Sequence, residues 1–171
     1  LTGGASASYI RKAVENSLRR LQTDYIDLYQ LHTPDANTPM EETLATLNEL
    51  VKEGKVREIG CSNFSTAQLQ EAEAARKGGA RYVSVQNHYN LFYREPELPV
   101  LEECAKTDTA YLPFFPLARG LLTGKYRLGQ PFPESARLPG LQSGDYLNEK
   151  NLERVEKLLA YAEGKGYTLL D

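Results

Sequence analysis

Four short segments rich in aromatic and β-branched residues recur along the chain, beginning at Tyr25, Val56, Tyr82 and Tyr111, and so 31, 26 and 29 residues apart. A helical pattern follows each of them. A strand plus a helix about every 30 residues is the βα unit of a parallel sheet. The strand segments are nearly continuous in apolar character, as expected where both faces of a sheet are covered. Two architectures fit, an open doubly wound sheet and a closed barrel. A dinucleotide-binding open sheet usually carries GxGxxG after its first strand, and none occurs here. A full barrel takes about 250 residues and eight strands. The reading is therefore an α/β fold, a (β/α)8 TIM barrel of which this 171-residue chain covers about four central strands and their helices. It is read as a single partial barrel domain over residues 1–171, with the N-terminal strands and the last strand absent. Leu1 in place of Met, and an incipient helix at Gly166 to Asp171, point the same way. Exposed sheet edges would invite self-association.

The helices have readable starts and stops. Ser6 is expected to cap a helix running to Leu21, with Ile10, Val14, Leu18 and Leu21 on one face. Thr38-Pro39-Met40-Glu41 reads as an N-cap, a proline at the first helical position and a capping-box glutamate. Leu44, Leu47, Leu50 and Val51 form the stripe of that helix, and Gly54 ends it. Ser65 caps a helix to about Lys77, stopped by Gly78-Gly79. Leu98 to Lys106 and Asn151 to Glu163 are the remaining helices, separated by a strand from Tyr111 to Phe115 and a Gly- and Pro-rich loop from Pro116 to Leu147.

Composition excludes several classes of function. Hydrophobic residues make up 41% and the formal net charge is −3, which argues for a folded globular chain rather than a disordered one. The mildly acidic balance lacks the basic patch of a nucleic-acid binder. No apolar stretch approaches the ~20 residues that span a bilayer, so no membrane role is expected. No signal peptide is read, and a cytoplasmic protein is expected. Cys61 and Cys104 lack metal-type spacing and read as reduced, partly buried thiols. A metal on His32 and His88 would lack a carboxylate or thiolate companion, so no metal is expected and His88 is given no role.

Functional residues of α/β barrels lie where strands give way to the following loops. The four strand ends read Gln30-Leu31-His32-Thr33-Pro34-Asp35, Gly60-Cys61-Ser62-Asn63-Phe64, Val85-Gln86-Asn87-His88-Tyr89-Asn90 and Phe114-Phe115-Pro116-Leu117-Ala118-Arg119-Gly120. Each presents a polar hydrogen-bonding group or an aromatic and then a turn, which is what a ligand site at the mouth of an apolar barrel requires. Gly120 to Lys125 superficially resembles an NTPase phosphate loop. Its glycine spacing is too short, Tyr126 stands where Ser or Thr is needed, and no helix pattern follows.

DYIDLYQLHTPD, GKVREIGCSNF, VSVQNHYN and PLARGLLTGKY, in this order and spacing, resemble the aldo-keto reductases over about Tyr9 to Asp171, in the branch of bacterial reductases and potassium-channel β subunits. The resemblance implies an oxidoreductase that uses NADPH to reduce an aldehyde or ketone to an alcohol by hydride transfer. His32 would be the catalytic histidine that donates a hydrogen bond to the substrate carbonyl. Ser62, Asn63 and Gln86 would bind the nicotinamide carboxamide, and Phe114 would stack on the ring. Leu117, Arg119, Gly120 and Lys125 would line the pyrophosphate segment, with Arg137 a further phosphate contact. The partner implied is a small-molecule carbonyl substrate. Two other readings stand beside this one: a cofactor-binding regulator resembling channel β subunits, and a catalytically inactive truncated fragment. The family's proton-donating tyrosine, with its lysine and aspartate, has no matching segment, so the 171 residues alone are expected to be inactive.

Overall fold

The computed structural model describes residues 4–133 and 146–171. The chain divides into two compact units, Leu1–His88 with Glu95–Phe114, and Tyr89–Arg94 with Phe115–Asp171.

The first unit alternates helix and strand: α1 (Ala7–Leu21), β1 (Ile26–Leu31), α2 (Met40–Lys52), β2 (Val56–Ser62), α3 (Thr66–Ala75), β3 (Tyr82–His88), a 3-10 turn at Glu95–Glu97, α4 (Pro99–Thr107) and β4 (Ala110–Phe114). The strands form one parallel sheet in the order β1-β2-β3-β4. Side chains alternate across a pleated sheet. Tyr29, Leu31, Ile59, Cys61, Val85 and Tyr111 therefore join the core that faces the helices. Ile10, Val14 and Leu18 of α1, Leu44, Leu47 and Leu50 of α2, and Val100 and Cys104 of α4 complete it. Burying one such aliphatic side chain contributes about 1.5–3 kcal/mol. The register shifts between Ile59 and Gly60, where β3 carries an extra residue, and both Tyr82 and Val85 reach the core. The alternate positions Gln30, Gly60, Ser62, Ser84 and Gln86 share the other face of the sheet. Gln30 stands beside Gly60, Gly60 beside Ser84, and Ser62 beside Gln86.

Two expected helix starts differ. Thr38 does not cap α2. Its hydroxyl donates to Asp35 Oδ2 at 2.8 Å, and Pro39 occupies the cap position. Ser6 occupies the cap position of α1 without a side-chain cap bond, and Glu42 Oε1 of α2 accepts instead from the Ala7 N–H at 3.0 Å. The Ser65 cap is present as a full box with Gln68. The strand expected to reach Phe115 ends at Phe114, because Phe115 turns to a left-handed φ of 53°.

The second unit has its own core of Ala118, Leu121, Leu122, Tyr126, Leu152 and Val155. The expected loop after Pro116 opens with 3-10 turns over Ala118–Thr123, and α5 (Glu149–Glu163) follows, capped by the Asn148 side chain. Arg127 and Glu156 pair through two hydrogen bonds of 2.8 and 2.7 Å, which ties the turn to α5.

Candidate functional site

The C-terminal ends of β1, β2 and β3 gather the polar residues of the first unit. Ser62 is the last residue of β2, and its hydroxyl donates to the Gln86 carbonyl at 2.6 Å. Asn63 follows with φ 61°, a left-handed conformation that asparagine tolerates better than most residues. Its backbone N–H also donates to the Gln86 carbonyl, at 3.1 Å. Its Nδ2 donates to the His32 carbonyl at 2.9 Å and to Ser62 Oγ at 3.2 Å. Both amide hydrogens of Asn63 are thus used inside the cluster, and Oδ1 is left as an acceptor for a ligand. The Asn87 side chain clamps the turn from the buried side, accepting from Phe64 N at 3.2 Å and donating to Phe64 O at 2.7 Å.

Gln86 has the opposite polarity. Its Oε1 accepts from Gln30 Nε2 at 2.8 Å, so its Nε2 is what it can offer outward. Gln86, on β3, thus has a donor to offer, and Asn63, immediately after the neighbouring β2, an acceptor. His32 lies exposed immediately after β1, joined to Asn63 through its carbonyl. Phe114 ends β4, and the His88 ring lies parallel to it, 5.2 Å between centroids and 6° between planes. His88, given no role from the sequence, thus shares the aromatic surface of Phe114. An open depression of about 650 Å³ lies along the β1–α2 loop, lined by Asp35, Thr38, Met40, Gln68 and Glu71 among others; it does not include the amide cluster. The Asp35 carboxyl beside it is held below the usual aspartate range by the N–H groups of Ala5 and Asn37 and the Thr38 hydroxyl.

In the second unit, the Leu117 carbonyl accepts from Gly120 N at 2.8 Å and Leu122 N at 3.2 Å, closing a tight turn. Ala118, Arg119 and Gly120 all have left-handed φ, at 48°, 55° and 101°. Only glycine takes the last value without strain. A Cβ at position 120 would lie 3.3 Å from Lys125 Cε and 3.5 Å from its Nζ, so glycine also leaves room for the ammonium against the turn. Arg119 Nε is buried with no hydrogen-bond partner, and the guanidinium carbon sits 4.2 Å from the Phe115 ring centroid. A buried unpaired donor is costly. An ammonium and an unpaired guanidinium N–H at one glycine turn suit an anionic group. Arg137 lies outside the described residues.

The cysteines take no part in these clusters. Both are free and buried, and burial pushes their thiols up, away from thiolate reactivity. Among the described residues no group of His, Cys, Asp and Glu is placed to hold a metal ion, and no helix is long and apolar enough to cross a membrane. Sequence reasoning missed Gln30. Its signal was its position, two residues before His32 at the end of β1.

The model of the aldo/keto reductase family matches residues 2–171. The chain belongs to the aldo/keto reductase family. It is 48% identical over 121 residues to an aldo-keto reductase of Bacillus subtilis, a match covering 71% of this chain and 35% of that protein. It is 34% identical over 163 residues to an NADP(+) aldo-keto reductase of Schizosaccharomyces pombe, covering 94% of this chain and 47% of that protein. Among solved structures, the glycerol dehydrogenase of Gluconobacter oxydans superposes with a TM-score of 0.82 at 35% identity, covering 96% of this chain and 50% of that one. The chain therefore spans about half the length, or less, of these relatives. Its parallel strands and alternating helices are part of an α/β barrel.

Proposed function

We propose that the protein carrying this chain is an NADPH-dependent reductase of small aldehydes and ketones, acting in the cytoplasm. The observation that carries this reading is the paired polarity of Gln86 and Asn63. Gln86 Nε2 is left as a donor and Asn63 Oδ1 as an acceptor, which complements the C=O and NH2 of a primary carboxamide. A reduced nicotinamide, when bound, supplies hydride to a carbonyl carbon. Ser62 fixes the strand end beneath the two amides, and Phe114 is the aromatic that would stack on the nicotinamide ring. Lys125 and Arg119 supply positive charge for phosphate at the glycine turn, whose backbone is anchored on the Leu117 carbonyl. His32 is the residue in this chain that would donate a hydrogen bond to the substrate carbonyl oxygen, stabilising the negative charge that develops there. The preference for the phosphorylated nucleotide rests on the motif resemblance and on the NADP(+) relative.

Titration of the protein with NADPH, followed by nicotinamide fluorescence, tests the reading. Saturable binding is expected. Gln86→Ala should weaken it about fivefold to tenfold, the worth of one hydrogen bond of about 1 kcal/mol or slightly more. Absence of binding, or binding indifferent to Gln86→Ala, would overturn the proposal.

A further inference from the structure

Gln86 can present either end of its amide to a ligand, and the two ends read opposite chemistry. The choice is made on the neighbouring strands. Gln30 Nε2 donates to Gln86 Oε1 at 2.8 Å across β2. Gln30 is in turn oriented by Ser84, whose hydroxyl donates to Gln30 Oε1 at 3.4 Å. The span from β1 to β3 is open only because β2 carries glycine at the crossing point. A Cβ on Gly60 would lie 2.5 Å from Ser84 Oγ and 3.2 Å from Gln30 Cγ. Ser84, Gln30 and Gln86 thus form a directed relay, hydroxyl to amide to amide, that occupies Gln86 Oε1 and leaves Gln86 Nε2 as the donor. Gln30 itself stands one pleat below the strand end.

We propose that Gln30 is a positioning residue that fixes the Gln86 side chain as a hydrogen-bond donor, and so makes this part of the site read the carbonyl oxygen of a ligand amide. The proposal rests on the carboxamide-binding reading above. A carboxylate at position 30 cannot donate to Oε1 when ionised. It accepts from Gln86 Nε2 instead and turns Oε1 outward. The site then holds two acceptors, Gln86 Oε1 and Asn63 Oδ1, and demands an N–H from its ligand.

The test measures dissociation constants at pH 8 for NADPH and for its 3-acetylpyridine analogue, which keeps the ring carbonyl oxygen and replaces the NH2 by a methyl group. The wild-type protein, Gln30→Glu and Gln30→Met are compared, each checked for native near-ultraviolet circular dichroism. Gln30→Met releases the amide without inverting it and should weaken both ligands alike, about fivefold. Gln30→Glu should weaken NADPH about tenfold and the analogue about a hundredfold, so that their ratio widens about tenfold. A general loss of packing would not move that ratio. An unchanged ratio in a folded Gln30→Glu protein overturns the proposal while wild-type binding of NADPH leaves the carboxamide reading standing. If Gln30→Glu does not fold, Gln30→Met decides: native binding of NADPH in that variant overturns the proposal. A wild-type protein that binds neither ligand overturns the carboxamide reading and the proposal with it.

Discussion

At the scale of single residues, the polar face of the sheet is built around an absence. Gly60 has no need of a left-handed φ; what it provides is space. An added Cβ would sit 2.5 Å from Ser84 Oγ and 3.1 Å from the Ser84 carbonyl, and the backbone oxygen cannot rotate away. Gly60→Ala is therefore expected to destabilise the protein by about 1–3 kcal/mol, the usual cost of overpacking, and urea unfolding would show it. Introduced into a Ser84→Ala background, the same change should cost less, because the closest clash is with the hydroxyl. Equal costs in both backgrounds would mean that the backbone contact dominates. Gly60 and Gln30 show where reading from sequence stops. Period-two alternation places Gln30, Ser62 and Gln86 on one face, and the motif spacing singles out His32, Ser62, Asn63 and Gln86. Nothing in a one-dimensional pattern says that Gln30 reaches across an intervening strand to Gln86. That depends on register, and on the small size of the residue between them. The His88 contact is hidden for a related reason: its ring is stacked on Phe114 of the next strand, a neighbour 26 residues further along the chain.

At the scale of elements, the strands were legible because their repeat and their apolar runs reflect burial on both faces, and burial leaves the strongest sequence trace. Caps were less legible, since a cap is a competition between local partners. Ser65 wins its competition because Gln68 completes the box, whereas Thr38 is drawn to Asp35. The helix of the second unit is held by a pairing no local pattern announces. Glu156 on α5 accepts from Arg127 and from the Leu128 N–H, 3.1 Å away. The Arg127 guanidinium, with that N–H, holds the Glu156 carboxyl at about 2, against an ordinary 4.5. A carboxyl with a depressed native pKa adds stability above its unfolded pKa, and the contribution is lost as pH falls through the native one. Stability should therefore decline between about pH 4.5 and pH 2 through this group. Glu156→Gln should be less stable than wild type at pH 7 and show a shallower decline over that window. Denaturant unfolding at stepped pH measures both. The side chains are 38% and 30% exposed, so added salt should reduce the difference at pH 7.

At the scale of the whole molecule, the question is which parts of the proposed carbonyl reductase this chain holds. It presents a histidine at the end of β1, an amide pair that complements a carboxamide, and a glycine turn with cationic side chains. A reduction at neutral pH also needs a proton for the carbonyl oxygen, from a group whose pKa lies near the working pH. The sheet offers tyrosines, but they are on the wrong face. Tyr29, Tyr82 and Tyr111 all belong to the core between sheet and helices. Burial pushes the phenols of Tyr29 and Tyr82 up, which makes them poorer acids. None of the strand tyrosines can therefore serve a carbonyl held beside His32. The 171-residue chain should bind NADPH with the Gln86 dependence described above, yet show no steady oxidation of NADPH in the presence of an aromatic aldehyde. Absorbance at the reduced-nicotinamide band over an extended incubation checks this directly. Turnover that disappears in His32→Ala would mean that the chain finds its proton elsewhere, with His32 itself the first group to test. Turnover that survives His32→Ala would instead remove His32 from the chemistry altogether.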